Sequence, residues 1–123
     1  MQDEQQFNQL MLQYNQLKNG AEEIRKVIEK KDYNSAINLI KSREPVFLNC
    51  KCIRRYLELT SAQENELNSV LNELRELETA NIESLKKSMA QVKAELKNIS
   101  KNQKIQQAYD FDEDYKGRII NLI

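Results

Sequence analysis

Hydrophobic residues recur at spacings of three and four along most of this chain, which is the pattern of amphipathic helices. The first stripe consists of Phe7, Leu10, Tyr14, Leu17, Ala21, Ile24 and Ile28. Because its phase continues across Asn19-Gly20, the pattern predicts one uninterrupted helix rather than a turn at this dipeptide. Gly20 is expected either to lower the stability of the helix by about 1 kcal/mol or to permit a close neighbour.

A second helix is predicted to begin at Asp32, whose carboxylate can cap the first turn after a very short loop. Its stripe consists of Ala36, Ile40, Phe47, Cys50 and Leu57, widened by Leu39, Val46 and Ile53. Pro45 lacks an amide hydrogen and clashes with the preceding turn, so we expect a kink, or a stop and restart, between Ser42 and Pro45. The stripe resumes in compatible phase, which favours the kink.

A third helix is predicted to begin at Ser61, which has the capping-box spacing with Glu64. Its stripe consists of Leu67, Val70, Leu71, Leu74 and Leu77, followed by Ile82, Leu85, Met89, Val92, Leu96 and Ile99. The spacing of five between Leu77 and Ile82 predicts that the stripe rotates by roughly 100°. The two halves of this helix are therefore expected to face different neighbours.

The predicted fold is all-α, an antiparallel bundle of three main helices in residues 1–109 and a short tail in residues 110–123. Extended to Ala108, the third helix would be on the order of 70 Å long, against roughly 40 Å for each of the others, and would project beyond them. Its uncovered stripe would need a second copy of the chain, a partner protein or the apolar tail. A plain bundle with matched ends and nothing to bind is the alternative.

Composition and charge narrow the classes of function. The 19 Lys and Arg residues balance 19 Asp and Glu residues, so the chain lacks the basic excess that direct nucleic-acid binding usually requires. Without histidine, and with two glycines, it has no His-based triad and no glycine-rich phosphate loop, so we expect neither an enzyme nor a cofactor. No secretory signal or membrane-spanning stretch is evident, which predicts a cytoplasmic protein without membrane insertion.

Neither the cysteines nor the acidic cluster of the tail fits a metal site. Cys50 and Cys52 would point about 200° apart around a helix, so they are predicted to be a small half-buried hydrophobe and a surface thiol. The acidic cluster consists of Asp110, Asp112, Glu113 and Asp114. It lacks the glycine and the last glutamate of a calcium loop, and we expect it to be extended and hydrated.

Helix-in-groove binding is the function that the third stripe favours. A partner helix with apolar residues at i, i+3, i+4 and i+7 could lie along four residues of that stripe, namely Met89, Val92, Leu96 and Ile99. The flanking charges would either set orientation and association rate or form an ordinary solvated face. The apolar tail residues are Ile119, Ile120, Leu122 and Ile123. They would either cover the groove as a tethered competitor or form a small satellite of the core.

Three segments resemble the FliT/FlgN group of flagellar export chaperones: EKKDYNSAINLIKSRE, NELRELETANIESLKKSMAQVKAEL and NQKIQQAY. The short length of the chain and the sequence QQAY at the end of the third segment resemble FliT more than FlgN. The resemblance implies a cytosolic chaperone that binds the C-terminal helical region of a filament cap or hook-filament junction protein and delivers it to the export gate. Tyr109 matches the gate-docking tyrosine of these chaperones, whose C-terminal segment in some members covers the substrate surface. The sequence after Tyr109 departs from the family pattern.

A structural coiled-coil subunit or adaptor of a larger assembly is the alternative function. A chaperone would exist free, as a monomer or a homodimer, and would capture one exported helix, whereas a structural subunit would be obligately assembled. The partners expected of the chaperone are a filament cap or hook-associated protein and the export gate or export ATPase complex.

Overall fold

A computed structural model describes residues 2–95 and 116–123 of the chain. These ranges contain four α-helices and no strand, so the all-α class is confirmed for the part described. The helices are α1 (Gln2–Glu29), α2 (Tyr33–Arg55), α3 (Ser61–Glu95) and α4 (116–122). Helix α1 packs against both α2 and α3, and its seven stripe residues are all buried.

Helix α1 is continuous through Gly20, as its unbroken stripe predicts. The guanidinium of Arg43 from α2 lies over this glycine, and a β-carbon added there would be 3.7 Å from Arg43 Nε. That distance is an ordinary van der Waals contact. Gly20 therefore has a close neighbour, although the neighbour would also tolerate alanine.

The turn between α1 and α2 is closed by a Schellman motif. Lys31 has φ 64°, a left-handed conformation that glycine adopts at much lower cost. Its amide donates to Ile28 O at 2.9 Å, and the Asp32 amide donates to Val27 O at 3.2 Å. Asp32 then caps α2 as predicted, because its Oδ1 accepts from the Ser35 amide at 3.3 Å.

Helix α2 runs through Pro45 without ending, so the alternative of a stop and restart is wrong. Pro45 and its neighbour Val46 are on the exposed side of the helix, while Arg43 and Phe47 face the interior. The missing amide hydrogen of proline therefore lies on the solvent side, where its loss costs less than it would in the core.

Helix α3 is capped one residue earlier than predicted. The Thr60 hydroxyl accepts from the Gln63 amide at 3.1 Å, and Gln63 Oε1 accepts from the Thr60 amide at 3.0 Å. These reciprocal bonds are a capping box, and the Thr60 carbonyl already accepts the first helical bond, from the Glu64 amide. The predicted box between Ser61 and Glu64 is wrong because threonine and glutamine offer the same pairing one position earlier.

The predicted rotation of the α3 stripe does not occur. Glu78 and Asn81 fill the gap between Leu77 and Ile82, and both are buried. They continue the three-four spacing from Leu74 onward, so both halves of the described helix face one core. The sequence pattern suggested a slip because these two core positions hold polar residues.

Candidate functional site

The candidate functional site is the groove between α2 and α3 in which α4 lies, called here the α4 groove. Ile119 of α4 is 0% exposed and Ile123, directly after α4, is 2% exposed, while Ile120 and Leu122 are half-buried against the same core. A helix as short as α4 is marginal in isolation. Its helical state therefore depends on the groove.

Two ion pairs hold the first turn of α4. Lys116 Nζ lies 2.7 Å from Glu83 Oε1 on α3, and Arg118 pairs with Glu44 on α2. The hydrogen bond and charge of Lys116 lower the pKa of Glu83. Both pairs are partly exposed, so each contributes little to stability by itself and both weaken with salt.

Three cations meet the carbonyl groups at the other end of α4. Lys51 Nζ donates to Asn121 O at 2.8 Å. Arg54 Nη1 and Arg75 Nη2 both donate to Ile123 O, at 3.0 and 3.2 Å. The last carbonyls of a helix have no partner within it and carry partial negative charge, so cations here are favourable.

A buried polar cluster joins α1, α2 and α3. Arg43 of α2 forms an ion pair with Glu78 of α3 and donates to Leu17 O of α1 at 2.5 Å. Asn81 Nδ2 donates to Ala21 O at 2.9 Å, one helical turn further along α1. The cluster fixes the relative register of the three helices, because each donor matches one particular carbonyl.

Glu78 is the least solvated charged group of this cluster. Its side chain is 0% exposed, and its Oε2 accepts no hydrogen bond from the described residues. Burial raises the pKa of the Glu78 carboxyl, although the charge of Arg43 partly offsets this. The carboxyl therefore has the character of a structural contact between helices, because its side chain is fully buried and its charged partner is Arg43 of α2.

The buried cysteine and tyrosine near the groove are also structural. The Cys50 thiol donates to Gln13 Oε1 at 3.0 Å, and burial raises its pKa, so it is a protonated and poorly nucleophilic thiol. Cys52 is exposed, in line with the predicted surface thiol. Tyr14 accepts a hydrogen bond from Arg54 at 3.3 Å, and burial raises its pKa.

A second cleft, of about 290 Å³, lies between α1 and α2. Leu17 and Ile24 of α1 and Leu39 and Val46 of α2 contribute its apolar lining. Leu39 and Val46 are 40% and 39% exposed. On α2 this cleft uses Leu39, Ser42, Arg43 and Val46, whereas α4 contacts Glu44, Lys51 and Arg54, so the two sites use different residues of this helix.

The structure places the predicted partner-binding residues in different environments. Met89 is 2% exposed and belongs to the core, and Val92 is half-buried. Leu96, Ile99 and Tyr109 lie outside the described residues. The tail contacts α2 at Glu44, Lys51 and Arg54, and it contacts α3 at Arg75 and Glu83.

Sequence reasoning missed the charged residues that line the α4 groove, which are Glu44, Lys51, Arg54, Arg75 and Glu83. One signal was present in the tail. Lys116 and Arg118 precede the apolar residues, and cations in the first turn of a helix oppose its dipole. Such a helix needs acidic neighbours, which only the fold identifies.

Within residues 2–95 and 116–123, no three His, Cys, Asp or Glu residues are grouped so that they could hold a metal ion. The acidic cluster from Asp110 to Asp114 lies outside these ranges. Among the helices described, none combines the length and apolar character needed to cross a bilayer.

Comparison of the chain with protein-family models, with curated proteins and with solved structures found no match.

Proposed function

We propose that this chain is a cytoplasmic export chaperone that captures an amphipathic helix in the α4 groove. The observation that carries the proposal is that a short helix, α4, covers the groove. Two long helices are bridged by one short helix, which is held by a few isoleucines and by partly exposed ion pairs. Because a seven-residue helix is marginal alone, it can be displaced without unfolding the rest.

The proposed architecture is an antiparallel bundle of α1, α2 and α3, with α4 as its fourth member. Support comes from the order of paired residues: Arg43 meets Leu17, whereas the later Arg54 meets the earlier Tyr14. The described part of α3 is on the order of 50 Å long, against roughly 40 Å for α1. A projecting end of α3 would begin beyond Met89, which is the last fully buried residue of this helix.

The proposed substrate is the C-terminal helical region of a filament cap or hook-associated protein, as the resemblance to FliT/FlgN chaperones implies. In this proposal the tail residues cover the groove until the substrate displaces them. The proposed partner-binding residues are Met89, Val92, Leu96 and Ile99, of which Met89 is buried, and the last two lie outside the described residues. Tyr109 is the proposed docking residue for the export gate or export ATPase complex.

A structural adaptor is a second candidate, favoured by the cleft between α1 and α2. Leu39 and Val46 are partly exposed there, and neither is among the residues of α2 that pair with α4. An adaptor would use this cleft as a permanent interface, whereas a chaperone would be stable and free without its substrate.

Displacement of α4 gives the test of the chaperone function. We expect the purified chain to bind the C-terminal segment of a filament cap or hook-associated protein in a one-to-one complex, measured by calorimetry and light scattering. Ile119→Asp should tighten this binding, because a carboxylate is costly in the buried site and releases the tail. Leu12→Asp is the matched control, because it places the same aspartate on an aliphatic side chain of α1 that is 60% exposed, and it should leave the affinity nearly unchanged.

Two outcomes would contradict the proposal. One is the absence of binding to every flagellar axial protein by both the native chain and the Ile119→Asp variant. The other is a chain that is stable only as part of a larger obligate assembly, which would favour the structural adaptor.

A further inference from the structure

The α4 groove carries opposite charges at its two ends. Glu44 of α2 and Glu83 of α3 lie at the end that receives the first turn of α4. Lys51 and Arg54 of α2 and Arg75 of α3 lie at the end that receives its last carbonyls. The charged ends are about 15 Å apart along α2 and about 12 Å apart along α3, which is roughly the length of two to three helical turns.

These charges compensate for an unfavourable helix sequence in α4. Lys116 and Arg118 place positive charge on the first turn, where the helix dipole is already positive. Glu44 and Glu83 neutralise that charge, while the cations at the other end complement the carbonyls. The groove therefore supplies the electrostatic conditions that α4 lacks by itself, and it does so for one direction of the helix only.

We infer that the α4 groove binds, in trans, a short amphipathic helix of a partner protein with one charge pattern and one direction. The ligand has basic residues in its first turn and aliphatic residues at the spacing of Ile119, Ile120 and Ile123. Its C-terminal carbonyls lie beside Arg54 and Arg75. This inference rests on the proposed function and adds the chemistry of the helix that the groove accepts.

The charge pattern excludes two kinds of competing helix. A helix with an acidic first turn brings carboxylates beside Glu44 and Glu83, and like charges in close contact are unfavourable. A helix in the reverse direction points its positive end at Arg54 and Arg75. Apolar contact alone would accept all of these helices, so the charges provide the discrimination.

The test compares two labelled peptides on the full chain carrying Ile119→Asp, which releases α4. One peptide has the sequence of residues 116–123, and the other has glutamate in place of Lys116 and Arg118. Fluorescence anisotropy should show the basic peptide binding about tenfold more tightly, as expected when two exposed ion pairs become like-charge contacts. Adding Glu44→Lys and Glu83→Lys should reverse the order of the two affinities.

A second measurement leaves Ile119 in place. Lys116→Glu with Arg118→Glu should raise the amide exchange rates of residues 119–123 about tenfold, because α4 then opens more often. Adding Glu44→Lys and Glu83→Lys should restore slow exchange. Circular dichroism and the urea midpoint confirm that α1, α2 and α3 remain folded in each variant.

Equal affinity for the basic and acidic peptides, or no effect of the exchanged charges on amide exchange, overturns this inference. Capture of a flagellar axial protein would still support the chaperone function in that case. Conversely, charge-selective peptide binding without capture of any axial protein supports this inference and contradicts the proposed function.

Discussion

Arg43 and Glu78 show how much one pair of residues decides in this protein. Each occupies a core position that its helical stripe would normally fill with an apolar side chain, and Glu78 has no contact with solvent. A buried ion pair contributes little net stability, because desolvation of both groups offsets their attraction. Removing one partner is costly, since the other charge is then buried without compensation.

We predict strong non-additivity between substitutions of this pair. Arg43→Met and Glu78→Leu should each lower the free energy of unfolding by about 3–5 kcal/mol, because each leaves one buried charge unpaired. The double variant should be close to the native chain or more stable than it. Urea unfolding of the four proteins measures the coupling, and additive single effects would show that the pair is not interdependent.

Glu78 also predicts a pH dependence of stability. Burial raises the pKa of its carboxyl in the folded chain, so the folded state holds this proton more strongly than the unfolded state does. The contribution of this group to the free energy of unfolding is therefore greatest below the unfolded pKa of about 4.3 and falls as pH rises through the folded pKa.

The measurement is the urea midpoint between mildly acidic and neutral pH, with Glu78→Gln compared to the native chain. The urea midpoint of the native chain should fall as pH rises, because Glu78 loses its proton. In Glu78→Gln this fall should be smaller. Glu83→Gln is the matched control. Lys116 lowers the pKa of Glu83, so the contribution of Glu83 has the opposite sign and is lost as pH falls. An unchanged slope in Glu78→Gln would contradict the assignment.

At the scale of secondary-structure elements, the helix ends are determined by capping residues that can be recognised in the sequence. Asp32 caps α2 because its carboxylate reaches the free amides of the first turn, and this was predictable from residue type and position. The capping box of α3 was predicted one residue late, because two overlapping segments both have the required spacing. The sequence therefore predicted the existence of α3 more reliably than it predicted the residue at which this helix is capped.

Lys31 gives a prediction about the turn between α1 and α2. Lys31→Gly should raise the free energy of unfolding by about 1 kcal/mol, because glycine adopts the left-handed conformation of this residue without steric cost. Lys26→Gly is the matched control in the last turn of α1, and it should lower stability by a similar amount. Equal destabilisation by both changes in thermal unfolding would contradict the role of the Lys31 conformation.

At the scale of the whole molecule, the described chain consists of three long helices joined by α1 and the short helix α4, whose Ile119 belongs to the same hydrophobic cluster. Leu74 and Ile119 are both 0% exposed, yet the helices to which they belong differ in length and in packing. Leu74 belongs to a long helix that packs along α1. Ile119 belongs to a short helix whose remaining attachments are its neighbouring apolar residues and partly exposed charges.

We therefore predict that these two equally buried residues respond differently to truncation. Leu74→Ala should lower the global free energy of unfolding by about 2–5 kcal/mol. Ile119→Ala should mainly speed amide exchange in residues 117–123 and leave the protection of α1 and α3 nearly unchanged, because α4 opens locally. Hydrogen exchange followed by mass spectrometry distinguishes the two effects. A uniform loss of protection in Ile119→Ala would show that α4 is an integral part of the core.

The sequence by itself determined the three long helices of this protein, because three-four spacing and capping residues act within a few positions along the chain. It also identified the apolar tail as one of the segments that could cover the stripe of the third helix. Only the tertiary structure decided that Glu78 and Asn81 are core residues and that the tail meets Glu44 and Glu83 at one end and Arg54 and Arg75 at the other. Burial of a polar group and the pairing of distant charges depend on which helices become neighbours, and no local pattern contains that information.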